Sequence, residues 1–484
     1  MRILIKGGTI VTAAETYQAD ILMADGKISM IGRDLQKTFN FSEEVERLDE
    51  LEVVDATGKL VMPGGIDVHT HMELPFFTTV SSDDFYTGQR AAAFGGTTCH
   101  IDFANQQKGE TLHEALDGWR AKAAGKTVID YGAHISITDL RDDVYDEIDS
   151  MLDEGVTTIK LFLSYKDMYM LDDGSLFKIM KKAAKLGMLV MVHAENGDVV
   201  DSLIKENVAA GNRDPIYHAL SHPAWSEAEA TLRAIGLAQV AGASLYVVHM
   251  TCEESVDQVT YGRKHGLRVM GETCPQYLFA TTDNLRQPDG AKWIFSPPVR
   301  EAKDNEYLWG ALADGRLQTV ATDHCPFLFD GSTPITYDGE VYKSPGKDSG
   351  GGDFSKVPNG THGIEDRLPM LWTYGVGAGR FSPNRFVELM ATNPAKIFGL
   401  YPQKGTIAPG SDADIVIWDP EATKTIHWQT QHTRTDHNIY EGMELRGLPE
   451  KVYSRGRLLV DGEKWYGVKG EGRFVKRRPF APVV

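Results

Sequence analysis

The chain has 484 residues, 42% of them hydrophobic and 24% charged, and a formal net charge of −18. That length is comfortable for two domains, and the composition supplies a large core. The acid excess argues against nucleic acid or an anionic membrane as the main partner, because both favour basic patches.

Residues 1–62 read as short strands and turns. Strands are predicted at 2–6, 8–11, 20–24, 27–31, 51–55 and 59–62, with turns at Gly7-Gly8 and Asp25-Gly26 and no helix. From residue 64 the pattern changes: β-rich runs alternate with amphipathic segments. The runs cover 66–71, 97–103, 128–137, 157–163, 188–194, 243–250, 267–272 and 318–323, and helical segments include 111–125, 177–186, 226–241 and 255–265. Eight strands with intervening helices over roughly 260 residues predict a (β/α)8 TIM barrel. A doubly wound open sheet is the alternative, weaker because ligands from five separate strands converge naturally only around a closed ring. Residues 325–362 form a long loop rich in Gly, Ser, Asp and Pro, a length uncommon unless functional or disordered. Residues 367–377 and 383–398 return to helix, the second with Ser382 as an N-cap. Strands resume at 405–407, 413–418, 423–426 and 451–460. The two flanks, 1–62 and 400–484, are expected to form one smaller, discontinuous β-sandwich domain beside a barrel spanning 63–399. The basic tail from Arg473 is expected to be a solvated end or an arm onto a neighbouring subunit.

Four cysteines (Cys99, Cys252, Cys274 and Cys325) are scattered without CxxC spacing, as suits free thiols in a reducing compartment. The first residues lack a signal-peptide core, and no run of about 18 apolar residues predicts a membrane span. A cytoplasmic location is expected.

Five of the barrel runs carry a potential metal ligand. His69 and His71 are two apart on a strand, so their imidazoles share a face and reach one ion. Paired glycines, Gly64-Gly65, precede them. His193 and His249 each close an apolar run. A lone histidine there is more often a satisfied polar group, but two beside an HxH point to ligation. Asp323 follows the last run and suits both ligation and proton transfer, or else caps the following loop. Its neighbour His324 points the other way along a strand and is not included. Lys160 falls in a hydrophobic strand, where a bare ammonium is costly, so it is either paired with a carboxylate or chemically altered. Imidazoles, a carboxylate and a lysine gathered at strand ends suggest two metal ions and water activation.

Longer motifs make a resemblance specific. They include Pro63-Gly-Gly-Ile-Asp-Val-His-Thr-His-Met72, His193-Ala-Glu-Asn196, Glu272-Thr-Cys-Pro-Gln-Tyr-Leu278, Phe295-Ser-Pro-Pro-Val-Arg300, Ala321-Thr-Asp-His-Cys-Pro326 and Val357-Pro-Asn-Gly360. With these the chain resembles the dihydropyrimidinases, or D-hydantoinases, of the cyclic amidohydrolase family over nearly its whole length. The resemblance implies a binuclear zinc site. His69, His71, Lys160 and Asp323 would hold the more buried ion, and Lys160, His193 and His249 the other. Lys160 would be carbamylated by carbon dioxide to N6-carboxylysine and bridge the two, which a desolvated, partly neutral amine favours. Tyr165 would bind substrate and stabilise the developing oxyanion. The backbones of Ser296 and Asn359 would grip the ring amides. A bridging hydroxide would open dihydrouracil, dihydrothymine or hydantoin rings to N-carbamoyl amino acids, with Asp323 moving the proton. A homotetramer, or a dimer, is implied.

One departure is that residues 327–352 are longer than in that family, which is expected to alter access or substrate size. Dihydroorotases place an arginine two residues after the HxH, where this chain has Glu73. Allantoinases share the ligands but take a polar ureide, whereas residues 74–77 with Phe162, Tyr165 and Tyr169 favour apolar ring substituents. A non-catalytic tetrameric scaffold is disfavoured because all six ligand positions are filled.

Overall fold

The computed structural model describes residues 2–40, 51–76 and 78–480. Phe77, one of the aromatics expected at the pocket, and the last residues of the basic tail lie outside them. Among the described residues, eight parallel strands form one sheet in chain order: β1 Gly65–Thr70, β2 Thr97–Asn105, β3 Asp130–Ser136, β4 Thr158–Phe162, β5 Leu189–His193, β6 Ser244–Val247, β7 Val269–Thr273 and β8 Thr319–Val320.

The first and last strands meet, and the sheet curls into a TIM barrel. Thr70 and His324 form a parallel bridge, and the His71 N–H donates to the His324 carbonyl at 2.9 Å. Side chains seal the rest of this seam. The buried guanidinium of Arg367 donates to the carbonyls of Ile66 and Val320, both at 2.9 Å, and Thr322 Oγ1 donates to Asp67 at 2.6 Å. An arginine between two strand ends thus satisfies carbonyls that a short ladder leaves open.

Strand composition follows from burial on both faces. In β5, Leu189 and Met191 join a cluster with Tyr246 and Met270, while Val190 and Val192 join the larger core shared with the surrounding helices. The period of two then puts His193 on the same face as Leu189 and Met191. In β4, Ile159 and Leu161 belong to the helix-side core, so Lys160 faces the other way. The helices are started and stopped by local chemistry. Thr111 and Glu114 make a capping box for Leu112–Ala123. Asp172 caps Asp173–Leu186, which ends at Gly187 in the left-handed conformation (φ 68°). Ser382 caps Pro383–Val387 as expected.

Two larger sheets lie outside the barrel, besides two two-stranded ones, among the described residues. One has four strands in the order Lys27–Gly32, Asp20–Ala24, Arg2–Lys6, Leu51–Asp55. The other has seven strands, and in it Leu60–Pro63 pairs antiparallel with Ile415–Thr425. Ile3, Ile21 and Val54 of the first sheet share a core with Ile10, Ile415 and Ile417 of the second.

Several expectations are corrected. Residues Leu35–Asn40 are helical, although no helix was expected before residue 62. Residues 405–407 are not a strand, and the two predicted strands over 413–426 are one, Ile415–Thr425. The long loop carries structure of its own: a hairpin of Ile335–Tyr337 and Glu340–Tyr342 and short helical turns at Lys347–Gly350 and Phe354–Lys356. The described part of the basic tail is only partly solvated: Arg473, Lys476 and Arg478 are exposed, but Val475 and Arg477 are buried. It runs onto the chain's own barrel: the Val475 N–H donates to the Tyr131 carbonyl at 2.8 Å, and Arg477 is buried, donating to Thr158 Oγ1 at 2.9 Å and to the Ala133 carbonyl. Val475 packs with Ile66, Ile101 and Leu189.

Candidate active site

One cavity is lined by all six expected ligands, His69, His71, Lys160, His193, His249 and Asp323. Tyr165, Ser296 and Asn359 line it too, as do Leu74, Phe76, Phe162 and Tyr169. The ligands do not all sit on strands. His71, His249 and Asp323 lie just beyond the ends of β1, β6 and β8. His249 (φ 40°), Asp323 (φ 53°) and Tyr165 (φ 62°) adopt left-handed backbone conformations that side-chain-bearing residues seldom take. Such strain, on the order of 1–3 kcal/mol each, is held only where surrounding structure enforces it.

His69 Nε2 and His71 Nε2 approach Asp323 Oδ1 at 3.1 and 2.9 Å. The ligating atoms of these three residues lie within 4.8 Å of one another, a spacing that can hold a metal ion. His193 and His249 flank them, with ring centroids 4.6 Å apart and His249 5.5 Å from His69. Lys160 Nζ makes no hydrogen bond or ion pair among the described residues. It faces the rings of Phe103 and Phe162 at 5.2 and 5.4 Å.

Electrostatics sort these groups. Burial lowers the Lys160 ammonium from 10.5 to about 8. Burial keeps His193 and His249 below the usual imidazole value, so both are neutral, as ligands must be. Burial opposes charge on His69 too, but Asp323 and Glu272 outweigh it and raise its pKa to about 9. Burial would raise Asp323, yet His69 and His71 hold its carboxyl well below the ordinary range. Burial, then the nearby carboxylates Glu195 and Asp323, push the Tyr165 phenol up, so it stays protonated.

Some functional neighbours escaped the sequence reading. Glu272, at the end of β7, accepts from His69 Nδ1 at 2.8 Å and from Tyr246 at 2.8 Å, which fixes the ring so that Nε2 faces Asp323. Glu195 bridges His193 Nε2 (2.7 Å) and His222 Nδ1 (2.8 Å). The period-two spacing of His193 and Glu195 was the available signal. His324 pairs with Asp83 at 2.9 Å, away from the cluster, as expected. Residues 327–352 do not themselves line the cavity, but Phe327 packs behind Phe76, which does, with ring centroids 6.4 Å apart. Glu73 also points elsewhere, pairing with Lys126 at 2.7 Å.

In the same cavity, Asn359 Nδ2 donates to Ser296 Oγ at 3.0 Å. The Ser296 carbonyl and the Asn359 N–H have no protein partner among the described residues. An unbonded carbonyl and an unbonded N–H on two residues that line the cavity supply the acceptor and the donor that the N–H and C=O edge of a cyclic amide requires. The arrangement can therefore accept a hydrogen bond from an amide N–H and donate one to an amide carbonyl.

Comparison with known proteins agrees with this geometry. Residues 60–459 match the model of the amidohydrolase family. The D-hydantoinase of Geobacillus stearothermophilus is 47% identical, over 99% of this chain and 98% of its own. The dihydropyrimidinase of Rattus norvegicus is 40% identical over 100% of this chain and 90% of its own. The crystal structure of dihydropyrimidinase from Brevibacillus agri NCHU1002 superposes with a TM-score of 0.93 at 48% identity, covering 99% and 100% of the two chains. No helix among the described residues is long and apolar enough to cross a membrane. With its barrel, its clustered ligands and these full-length relatives, the chain belongs to the amidohydrolase family.

Proposed function

We propose that this protein is a metal-dependent cyclic amidohydrolase that opens hydantoin and 5,6-dihydropyrimidine rings to N-carbamoyl amino acids. The observation that carries the reading is the single cavity in which the histidine–lysine–aspartate cluster faces Tyr165 and the free amide groups of Ser296 and Asn359.

The residues fit a pair of divalent ions. His71 Nδ1 and His249 Nδ1 are buried with no hydrogen-bond partner among the described residues, and Lys160 is buried without an ion pair among them. His69, His71 and Asp323 would hold one ion and His193 and His249 the other, with Lys160, carbamylated by carbon dioxide, shared between them. Neutral imidazoles and carboxylate oxygens suit zinc. Two such ions, when bound, activate a water molecule and polarise the substrate carbonyl.

The chain's own groups do the rest. The Ser296 carbonyl accepts the ring N–H and the Asn359 N–H donates to a ring carbonyl, which binds the ring in the cavity. Tyr165 keeps its proton and donates to the oxygen on which negative charge develops. Asp323, held as a carboxylate by its two histidines, takes the proton from water and returns it to the leaving ring nitrogen. Leu74, Phe76 and Tyr169 give the cavity an apolar side for a ring substituent. We further infer that residues 1–62 and 400–484 act as one unit around the barrel of 63–399, and that the protein works in the cytoplasm as a homotetramer.

The test is parallel hydrolysis of dihydrouracil, hydantoin, allantoin and L-dihydroorotate by the zinc-supplied protein. Turnover of the first two and little of the others is expected. A preference for allantoin or dihydroorotate would show that the pocket has been misread.

A further inference from the structure

Lys347 lies in the long segment after β8, is 1% exposed, and forms no ion pair among the described residues. Its Nζ donates to the carbonyl of Ile294 at 2.8 Å and to that of Pro358 at 3.1 Å. Ile294 is two residues before Ser296, and Pro358 immediately precedes Asn359. The Ile294 carbonyl also accepts the Gly360 N–H at 3.2 Å. One buried side chain therefore links the two segments whose free backbone groups face the cavity.

The segment is built to deliver that side chain. The Lys347 N–H donates to the Leu328 carbonyl at 2.8 Å, the Asp348 N–H to the Phe329 carbonyl at 3.1 Å, and Asp348 Oδ1 accepts the Gly331 N–H at 2.9 Å. Gly331 and Gly346 pass so closely that a Cβ on Gly331 would fall 2.2 Å from the Gly346 nitrogen, and one on Gly346 would fall 2.4 Å from the Leu328 carbonyl oxygen. The neck of the segment is thus closed backbone against backbone immediately before Lys347. Burial lowers the Lys347 ammonium to about 7, a cost that an apolar residue of the same length would not carry. A group retained at such a cost, with two defined acceptors beside the site, has a role in geometry.

We propose that Lys347 is a positioning residue, tying the segment of Ser296 to the segment of Asn359 and so setting the spacing of the two backbone groups that grip the substrate ring. The inference rests on the assignment of those groups as the ring clamp. The clamp holds parts of the ring that do not react, so it contributes binding common to substrate and transition state. Loosening it raises KM more than it lowers kcat.

The test compares full-length, metal-loaded wild type with K347M, using hydantoin and dihydrouracil, and measures kcat, KM and bound metal. KM is expected to rise about tenfold, the equivalent of about 1.4 kcal/mol, with kcat within about threefold and metal content unchanged. In an N359A background the K347M effect on KM should shrink at least threefold, because both changes relax the same pair and act non-additively. A KM that stays at the wild-type value, whatever happens to the melting temperature, overturns the inference, and so does full additivity with N359A. Should K347M not accumulate as folded protein, K347Q, which keeps a shorter donor, carries the same measurement and the same criteria. Wild-type turnover separates the two claims. If wild type opens neither ring, the functional reading fails; if it does and the variant's KM is unchanged, only the role of Lys347 fails.

Discussion

Replacing Lys160 by methionine should make the metal-free protein more stable while making the enzyme inactive. In the absence of metal and carbon dioxide the side chain is a bare amine, buried between Phe103 and Phe162 without an ion pair among the described residues. Its pKa there is about 8, against 10.5 when exposed. A difference of that size corresponds to about 3 kcal/mol, from 1.36 kcal/mol per pH unit. The attraction of Asp323 and Glu272 is already contained in that value. Because the folded pKa lies below the unfolded one, the unfolded chain binds the proton more tightly, and the penalty is fully present below about pH 8. It is relieved as pH rises from about 8 to 10.5. Methionine keeps the length and removes the charge, so chelated, carbon-dioxide-depleted K160M should exceed chelated wild type by about 3 kcal/mol at pH 7. The gap should close near pH 10. Urea denaturation followed by circular dichroism at the two pH values reads the difference from the midpoints. Bound metal and hydantoin turnover, measured on the same preparations after reloading, should both fall to a small fraction of wild type. Apo K160M less stable than apo wild type at pH 7, or K160M with full metal content and activity, would refute the reasoning.

Other expectations follow from the same geometry. Tyr165→Phe removes the donor to the developing oxyanion and should lower kcat by about 10²–10³ with a smaller change in KM, read by steady-state kinetics. Glu272→Gln keeps the shape but weakens the hold on His69 Nδ1, and should weaken metal binding about 10–100-fold in competition with a chromophoric chelator. Lys404 is buried among Asp130, Asp414 and Asp412 at 2.8, 2.7 and 3.0 Å, so Lys404→Met leaves uncompensated carboxylates and should cost about 3–5 kcal/mol in urea unfolding. Burial opposes charge on Lys404, but the carboxylates outweigh it and raise its pKa well above 10.5. Its contribution is therefore complete below that pH and lost only in strong alkali.

The barrel was legible because strands buried on both faces are written as apolar runs, and His69, Lys160 and His193 fall on those runs with a period of two. His249 and Asp323 were legible as residues but not as geometry. Their left-handed backbones place them past the strand ends, and no local pattern announces a strained non-glycine. Glu272 stood in a motif without a role, because its partner His69 is far away in sequence and only ring closure brings them together. The helix Leu35–Asn40 was missed because an isolated helix of six residues has too few turns to show a period. The role of Lys347 was hidden for a different reason: it is defined by two main-chain carbonyls, and those have no signature in side-chain identity.

The tail that lies against the barrel also has a consequence for biosynthesis. Val475 and Arg477 are translated long after β8, yet they pack against β3 and β4, which emerge from the ribosome much earlier. At about 5–20 residues per second, several seconds pass in which the barrel exists without this cover. A nascent chain at that stage exposes the Ala133 carbonyl and an apolar surface around Ile66 and Leu189. Proteolysis and chaperone binding should therefore act on the newly made chain until its last segment has docked.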